Sequence, residues 1–264
     1  MGATRMSKRC FGWRQAGVTG ILAAGGLILL FWLLRIEEKV ARSRSLENLR
    51  GVAGAFQKYR EVEKRCPPAV IYDKNGRALH SWRVLILPYL GEETLYRQFH
   101  LDESWESPHN LQLLSKIPPA FVSARPGRTK DPFGTHFQVF VFEGYPGWHT
   151  TYYALDNGKT LKPITLDNGR GKHSLFESRL GPGGWFHDSV WFLAEAEQEV
   201  PWTKPADLLV HPEKPLPRLG GLFDDGFHVA LRNTEVGFIK WERFSESELR
   251  LAIMGDGKFD HPDW

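Results

Sequence analysis

Between Arg14 and Arg35 the chain runs for twenty residues without a charge, Gln15 to Leu34, ending on Leu27-Ile28-Leu29-Leu30-Phe31-Trp32-Leu33-Leu34. A helix rises about 1.5 Å per residue, so a run of this length spans roughly the 30 Å hydrocarbon core of a bilayer. A core helix of a soluble protein would show a polar face, and this stretch offers only Gln15 and Thr19. A cleaved signal peptide has a shorter apolar core and a small-residue site after it. Here Arg35-Ile36-Glu37-Glu38-Lys39 follows instead. The sequence therefore predicts an uncleaved transmembrane helix over 15–34, with a lipid bilayer as its partner. Arg5, Lys8, Arg9 and Arg14 precede the span. By the positive-inside rule they place a basic segment, 1–14, in the cytoplasm and the residues after the span on the far side of the membrane.

The net charge of +3 is unevenly spread: residues 1–44 carry eight basic and two acidic side chains, and the remainder carries 26 and 29. The body of the protein is thus mildly acidic, which argues against nucleic acid as a partner. With 42% hydrophobic and 25% charged residues the chain has the composition of a folded globular protein. Cys10 and Cys66 fall on opposite sides of the predicted span and cannot pair, so a disulfide scaffold is excluded.

After the span, Ile36, Val40, Leu46, Leu49, Val52, Ala53, Phe56 and Tyr59 recur at mostly three- and four-residue intervals. This stripe predicts a helical stalk over 35–66 that continues the membrane helix and lays an apolar face on the domain that follows. Gly51 and Gly54 weaken it, and Pro67-Pro68 stops it. The outer domain, 67–254, begins with a strand-like Ala69–Tyr72 and an Asn75-Gly76 hairpin signal. Ser81 caps a short helix from Trp82, a second is expected over Glu92–Phe99, and Ser107-Pro108 opens a third over Pro108–Lys116. Strand patterns follow at Thr135–Phe142, Thr150–Leu155, Val190–Ala194, Phe227–Leu231 and Glu235–Trp241. Ser245 and Glu248 form a capping box for a last helix, ahead of an acidic tail, 255–264. No βαβ alternation appears, so the class is α+β with a mostly antiparallel sheet.

Several strings carry a family resemblance. They are Asn48-Leu49-Arg50 through Tyr59, Pro67-Pro68-Ala69, Tyr72-Asp73-Lys74-Asn75-Gly76, and His80-Ser81-Trp82-Arg83-Val84-Leu85-Ile86-Leu87-Pro88-Tyr89-Leu90. Phe99 through Asn110, Val200-Pro201-Trp202-Thr203-Lys204-Pro205, Pro215 through Gly221, and Gly226–Ile239 extend it over most of residues 46–254. In these strings the chain resembles an uncharacterised bacterial family of pseudopilin-like proteins, similar to protein G of the general secretion pathway. Its members sit behind a prepilin-type cleavage and methylation signal. The resemblance implies a pilin-like fold, a long N-terminal helix packed on an antiparallel sheet, in a single-pass protein of the bacterial cell membrane. It implies pilin-like subunits or other cell-envelope proteins as partners, and no catalytic activity. Two positions depart from the family pattern. Gly17-Val18-Thr19-Gly20-Ile21-Leu22 has Leu22 where the prepilin signal carries Glu, which removes the carboxylate thought to pair with a neighbouring subunit's N-terminal amine. Asn233-Thr234 stands where the family has an Asp-Gly turn.

Chemical motifs are sparse. The ten histidines form no helical His-x-x-x-His pair or Cys/His ligand set, so no zinc site is expected. Asp256, Asp260 and Asp263 supply the oxygen ligands that Ca²⁺ takes, although a solvated acidic tail is the plainer expectation. His187, Asp188 and Ser189 have the residue types of a hydrolase triad without a Gly-x-Ser-x-Gly elbow, and they are the enzymatic alternative to a structural or interaction module. Trp148, Trp185 and Trp202 are candidates for glycan contact if exposed.

Overall fold

Helix α1 runs without a break from Ser7 to Glu63, through both Gly51 and Gly54. The computed structural model describes residues 7–142, 165–167, 172–174, 191–211, 214–231 and 234–254, with helix side chains described from Ala24 onward. The chain divides into two compact units, one up to Arg44 and one from Ser45. In the first, Leu27 to Leu34 stand 52–68% exposed around the whole helix circumference. Residues 15–23 of the expected span lie outside the described side chains. Among the described residues no helix is long and apolar enough to cross a membrane.

In the second unit the apolar stripe of α1 is buried as its period requires, with Leu49, Val52, Ala53, Phe56 and Tyr59 all in the core. The helix ends with Lys64 in the left-handed region (φ 55°), and the chain turns at Pro67-Pro68 into strand β1, Val70–Tyr72. The Asp73–Gly76 turn returns it as β2, Ala78–Ser81, in an antiparallel hairpin. Ser81 caps α2, Trp82–Leu85, by accepting a hydrogen bond from the backbone N–H of Arg83. A 3₁₀ turn over Leu87–Leu90, α3 (Glu93–Tyr96) and α4 (Pro108–Gln112) follow. The two later helices are shorter than their sequence patterns suggest: the first runs four residues, and the second tightens to a 3₁₀ turn at Leu113.

The main sheet comprises β3 (Gly134–Phe142), β6 (Trp191–Pro201), β7 (Leu208–Val210), β8 (Gly226–Leu231) and β9 (Val236–Lys240), in the order β7-β3-β6-β8-β9. All neighbours are antiparallel except β3 and β7, a parallel pair with no signal in the sequence. A separate hairpin joins β4 (Thr165–Asp167) and β5 (Lys172–Ser174). The Thr150–Leu155 strand pattern lies outside the described residues. The capping box is formed as expected: Ser245 Oγ accepts from Glu248 N, and Glu248 Oε2 accepts from Ser245 N, opening α5 over Glu246–Met254.

Both faces of the main sheet are covered. Phe137, Val139, Val141, Leu193 and Ala230 pack with α1 and the short helices. Phe140, Ala194, Val229, Leu231 and Ile239 pack with Leu249, Ala252 and Ile253 of α5. Burial on both sides explains why every residue of β8 is buried, with His228 its one polar side chain. The architecture is α+β with the pilin-like placement of a long N-terminal helix against a mostly antiparallel sheet. Between β8 and β9, Thr234 stands at φ 73°, a costly conformation for a β-branched residue, and Thr234 N donates to Leu231 O.

Candidate functional site

The turn at Pro67-Pro68 sets the last turn of α1 beside the β1–β2 hairpin and leaves a groove of about 880 Å³ between them. Tyr59, Val70, Ile71, Tyr72 and Leu85 give it apolar walls, and Arg65, Asp73 and Lys74 give it charge. The three charges are not equivalent. Asp73 Oδ1 accepts from the backbone N–H of Asn75 and of Arg77, both at 2.8 Å, and the Arg77 bond above all holds its carboxyl below the usual range. Asp73 is thereby engaged inside its own turn. Burial raises the Tyr59 and Tyr72 hydroxyls, with nearby Arg65 opposing the shift at Tyr59, so both stay neutral phenols at physiological pH.

A buried charge network follows the hairpin, at the start of α2. Arg83 and Asp207 are both sealed from solvent, with Arg83 Nη2 2.8 Å from Asp207 Oδ1. The Arg83 guanidinium also donates to the Phe137 carbonyl from Nε and Nη2 and to Ser81 Oγ from Nη1. Asp207 Oδ1 further accepts from Trp82 Nε1 and from Val139 N, each at 3.0 Å. Burial pushes the Asp207 carboxyl up, against the pull of Arg83 and these donors. All these bonds fall on Oδ1, Asp207 Oδ2 being buried without a hydrogen-bond partner, and the arrangement clamps α2, β3 and the 204–207 loop together.

A second buried set joins α1 to the sheet. Glu195 Oε2 accepts from both the backbone N–H and Nδ1 of His228, at 2.8 and 3.0 Å, and Ser45 Oγ donates to Glu195 Oε1. The residue types are those of a hydrolytic triad, but the order is wrong. The carboxylate sits between serine and histidine, so His228 does not reach the Ser45 hydroxyl as its base, and all three are buried. This set holds structure and does not activate a nucleophile.

The Phe99–Asn110 segment is likewise organised from within. Asn110 accepts from His100 N and donates to the carbonyls of His100 and Ser104, while Ser107 Oγ caps α4 by accepting from Asn110 N. The rings of His100 and His109 stack at 3.6 Å. His80 is buried beneath them, and its Nε2 donates to the His100 carbonyl at 3.2 Å, the only role a carbonyl partner permits.

Burial holds the His80 pKa below its ordinary value near 6.5. The unfolded chain therefore binds a proton here before the folded one does, and the stability His80 contributes is present at neutral pH and lost as pH falls below about 6.5. The lowered carboxylates Asp73, Glu103 and Glu248 act only in a more acid window. Melting temperature is thus expected to drop between about pH 7.5 and 5.5, and His80→Gln to flatten that slope. Equal slopes for the two proteins would remove His80 as the cause.

Trp202 is fully buried, stacked near Phe121 and edge-on to Phe99, with Nε1 donating to the Leu114 carbonyl. Its candidacy for glycan contact is overturned: the indole is core. Trp148 and Trp185, the His187–Ser189 triad candidates and the calcium candidates Asp256, Asp260 and Asp263 lie outside the described residues. Among the described residues no group of three or more His, Cys, Asp or Glu is placed to hold a metal ion, and Cys66 is a half-buried free thiol. The Asn75-Gly76 signal marked the hairpin, but nothing local in the sequence marked the groove, Arg83–Asp207 or Ser45–Glu195–His228.

Residues 41–171 match the family model SBP_bac_10, described as a protein of unknown function (DUF1559). The match takes in the groove, Arg83 and Asn110 and stops short of Glu195, Asp207 and His228. No curated protein and no solved structure matches the chain.

Proposed function

We propose that this chain is a single-pass, membrane-anchored, pseudopilin-like protein whose DUF1559-containing domain stands outside the cytoplasm and serves a structural or interaction role without catalysis. Its N-terminus is cytoplasmic, and its partners are pilin-like subunits or other cell-envelope proteins. One observation carries the reading: eight consecutive large apolar side chains, Leu27–Leu34, are exposed on all sides of a helix whose later turns are the spine of the folded domain. Leaving each more than half exposed to water forgoes about 1 kcal/mol or more of burial, a cost that a lipid environment removes. The Ser45–Glu195–His228 set supports the non-catalytic half of the proposal, because both oxygens of its carboxylate are engaged in holding α1 and β8.

The test is fractionation of cells producing the full chain with a tag before Arg5. The protein is expected to stay in carbonate-washed membranes, and protease added to spheroplasts is expected to destroy the domain while sparing the tag. Recovery of the intact chain from the soluble fraction overturns the proposal.

A further inference from the structure

We propose that the groove beside β1 binds an extended, acidic peptide segment, which adds to the β1–β2 hairpin as a third strand. The backbone supplies the first argument. Trp82 N donates to the Ala69 carbonyl, and Ile71 pairs with His80, so the polar groups of Ala69 and Ile71 face β2. By the alternation of an antiparallel ladder the N–H and C=O of Val70 face the other way, and beyond the register shift between Ile71 and Tyr72 the bond from Asp73 N to the Arg77 carbonyl leaves Tyr72 facing outward as well, along the edge that borders the groove. Among the described residues no strand pairs with that edge. An unpaired edge of this kind is a template for a further strand, with backbone bonds giving affinity and the flanking pockets giving selectivity.

Side chains supply the second argument. Tyr59, Tyr72 and Leu85 offer apolar surface to alternate residues of an incoming strand, while Arg65 and Lys74 stand at the rim. Asp73 keeps its negative charge with Oδ1 turned into its own turn, but Arg65 and Lys74 outnumber it in the lining, so the groove is positive on balance and an acidic segment is the complement. The inference rests on the interaction role proposed above and is independent of the membrane anchor.

The experiment uses the full chain in detergent and a fluorescein-labelled peptide, (Glu-Val)₄, followed by anisotropy. Binding is expected to weaken about tenfold or more when the amides of one alternate set of residues, all Glu or all Val, are N-methylated, and to persist when the other set is methylated, since only one set faces β1. Arg65→Glu with Lys74→Glu is expected to weaken binding by a similar factor, and (Lys-Val)₄ is expected not to bind. Val70→Pro removes an outward N–H while leaving the bonds to β2, and is expected to cost severalfold in affinity at unchanged melting temperature. If that variant does not fold, the methylated peptides decide the question on the natural chain. No binding of (Glu-Val)₄, equal loss from both methylation patterns, or self-association of the chain abolished by the charge reversals each overturns the proposal. Failure here with the chain still in the membrane fraction rejects the docking site alone.

Discussion

Arg83→Ala is expected to destabilise the domain by about 3–5 kcal/mol, a loss of roughly 6–20 °C in melting temperature for a body of this size. The size follows from what the substitution strands. Asp207 keeps its burial and loses the cation 2.8 Å away, and the Phe137 carbonyl loses two donors. The indole of Trp82, which lies 4.5 Å from the guanidinium carbon, loses its packing partner. Arg83→Lys is expected to recover only part of the loss, because a single ammonium does not reach the Phe137 carbonyl, Ser81 and Asp207 together as the planar fork does. Arg77→Ala is the control: its pair with Glu106 is exposed and 3.9 Å long, and its removal should change stability by less than about 0.5 kcal/mol. Urea unfolding monitored by tryptophan fluorescence reads all three. A cost under about 1 kcal/mol for Arg83→Ala contradicts the clamp.

The contrast between Arg83 and the capping residues shows what was legible beforehand. Ser81, Ser107 and the Ser245/Glu248 box act on backbone groups within three residues, so their meaning is written locally and the structure bears each of them out. The stripe of α1 was legible for the same reason, since its period is a property of one helix. A charged residue in a short helix reads instead as a solvated face, and nothing near Arg83 announces a carboxylate more than a hundred residues away. Glu195 is harder still. It shares a parity with Glu197 on β6, yet Glu197 is exposed and Glu195 is sealed, because Ser45 of α1 lies over only one of them. Strand β7 is three residues long and parallel to its neighbour, and such a pairing is decided by tertiary packing rather than propensity. The groove combines a legible hairpin with an illegible neighbour: Asn75-Gly76 predicts the turn, while the approach of Tyr59 and Arg65 depends on the direction the chain takes after Lys64. Much of the string that carries the family resemblance, including Trp82, Arg83, Asn110 and Trp202, turns out to be core and clamp.

The second large effect is expected at Glu195. Glu195→Ala leaves three buried donors without an acceptor, the Ser45 hydroxyl and the backbone N–H and Nδ1–H of His228, at about 1–3 kcal/mol each, so a total of at least about 3 kcal/mol is expected. Glu195→Gln keeps acceptor capacity at one oxygen and is expected to cost less. Ser45→Ala removes one donor of the three and is expected to cost about 1 kcal/mol alone. In the double variant with Glu195→Ala most of that cost should vanish, giving a coupling energy within the 0.5–3 kcal/mol typical of direct partners. Additive losses would mean that the two side chains act independently and that the helix is held by its apolar stripe alone. The distinction bears on function. If residues 15–34 are held in a bilayer, any force between membrane and domain enters through α1, and the Ser45–Glu195 bond joins that helix to the central strand of the main sheet. Apolar contacts resist separation but tolerate sliding of a helix along its own axis. A buried hydroxyl on a carboxylate that is itself fixed by His228 admits only one register. The coupling energy therefore measures how firmly α1 is fixed in register against the main sheet.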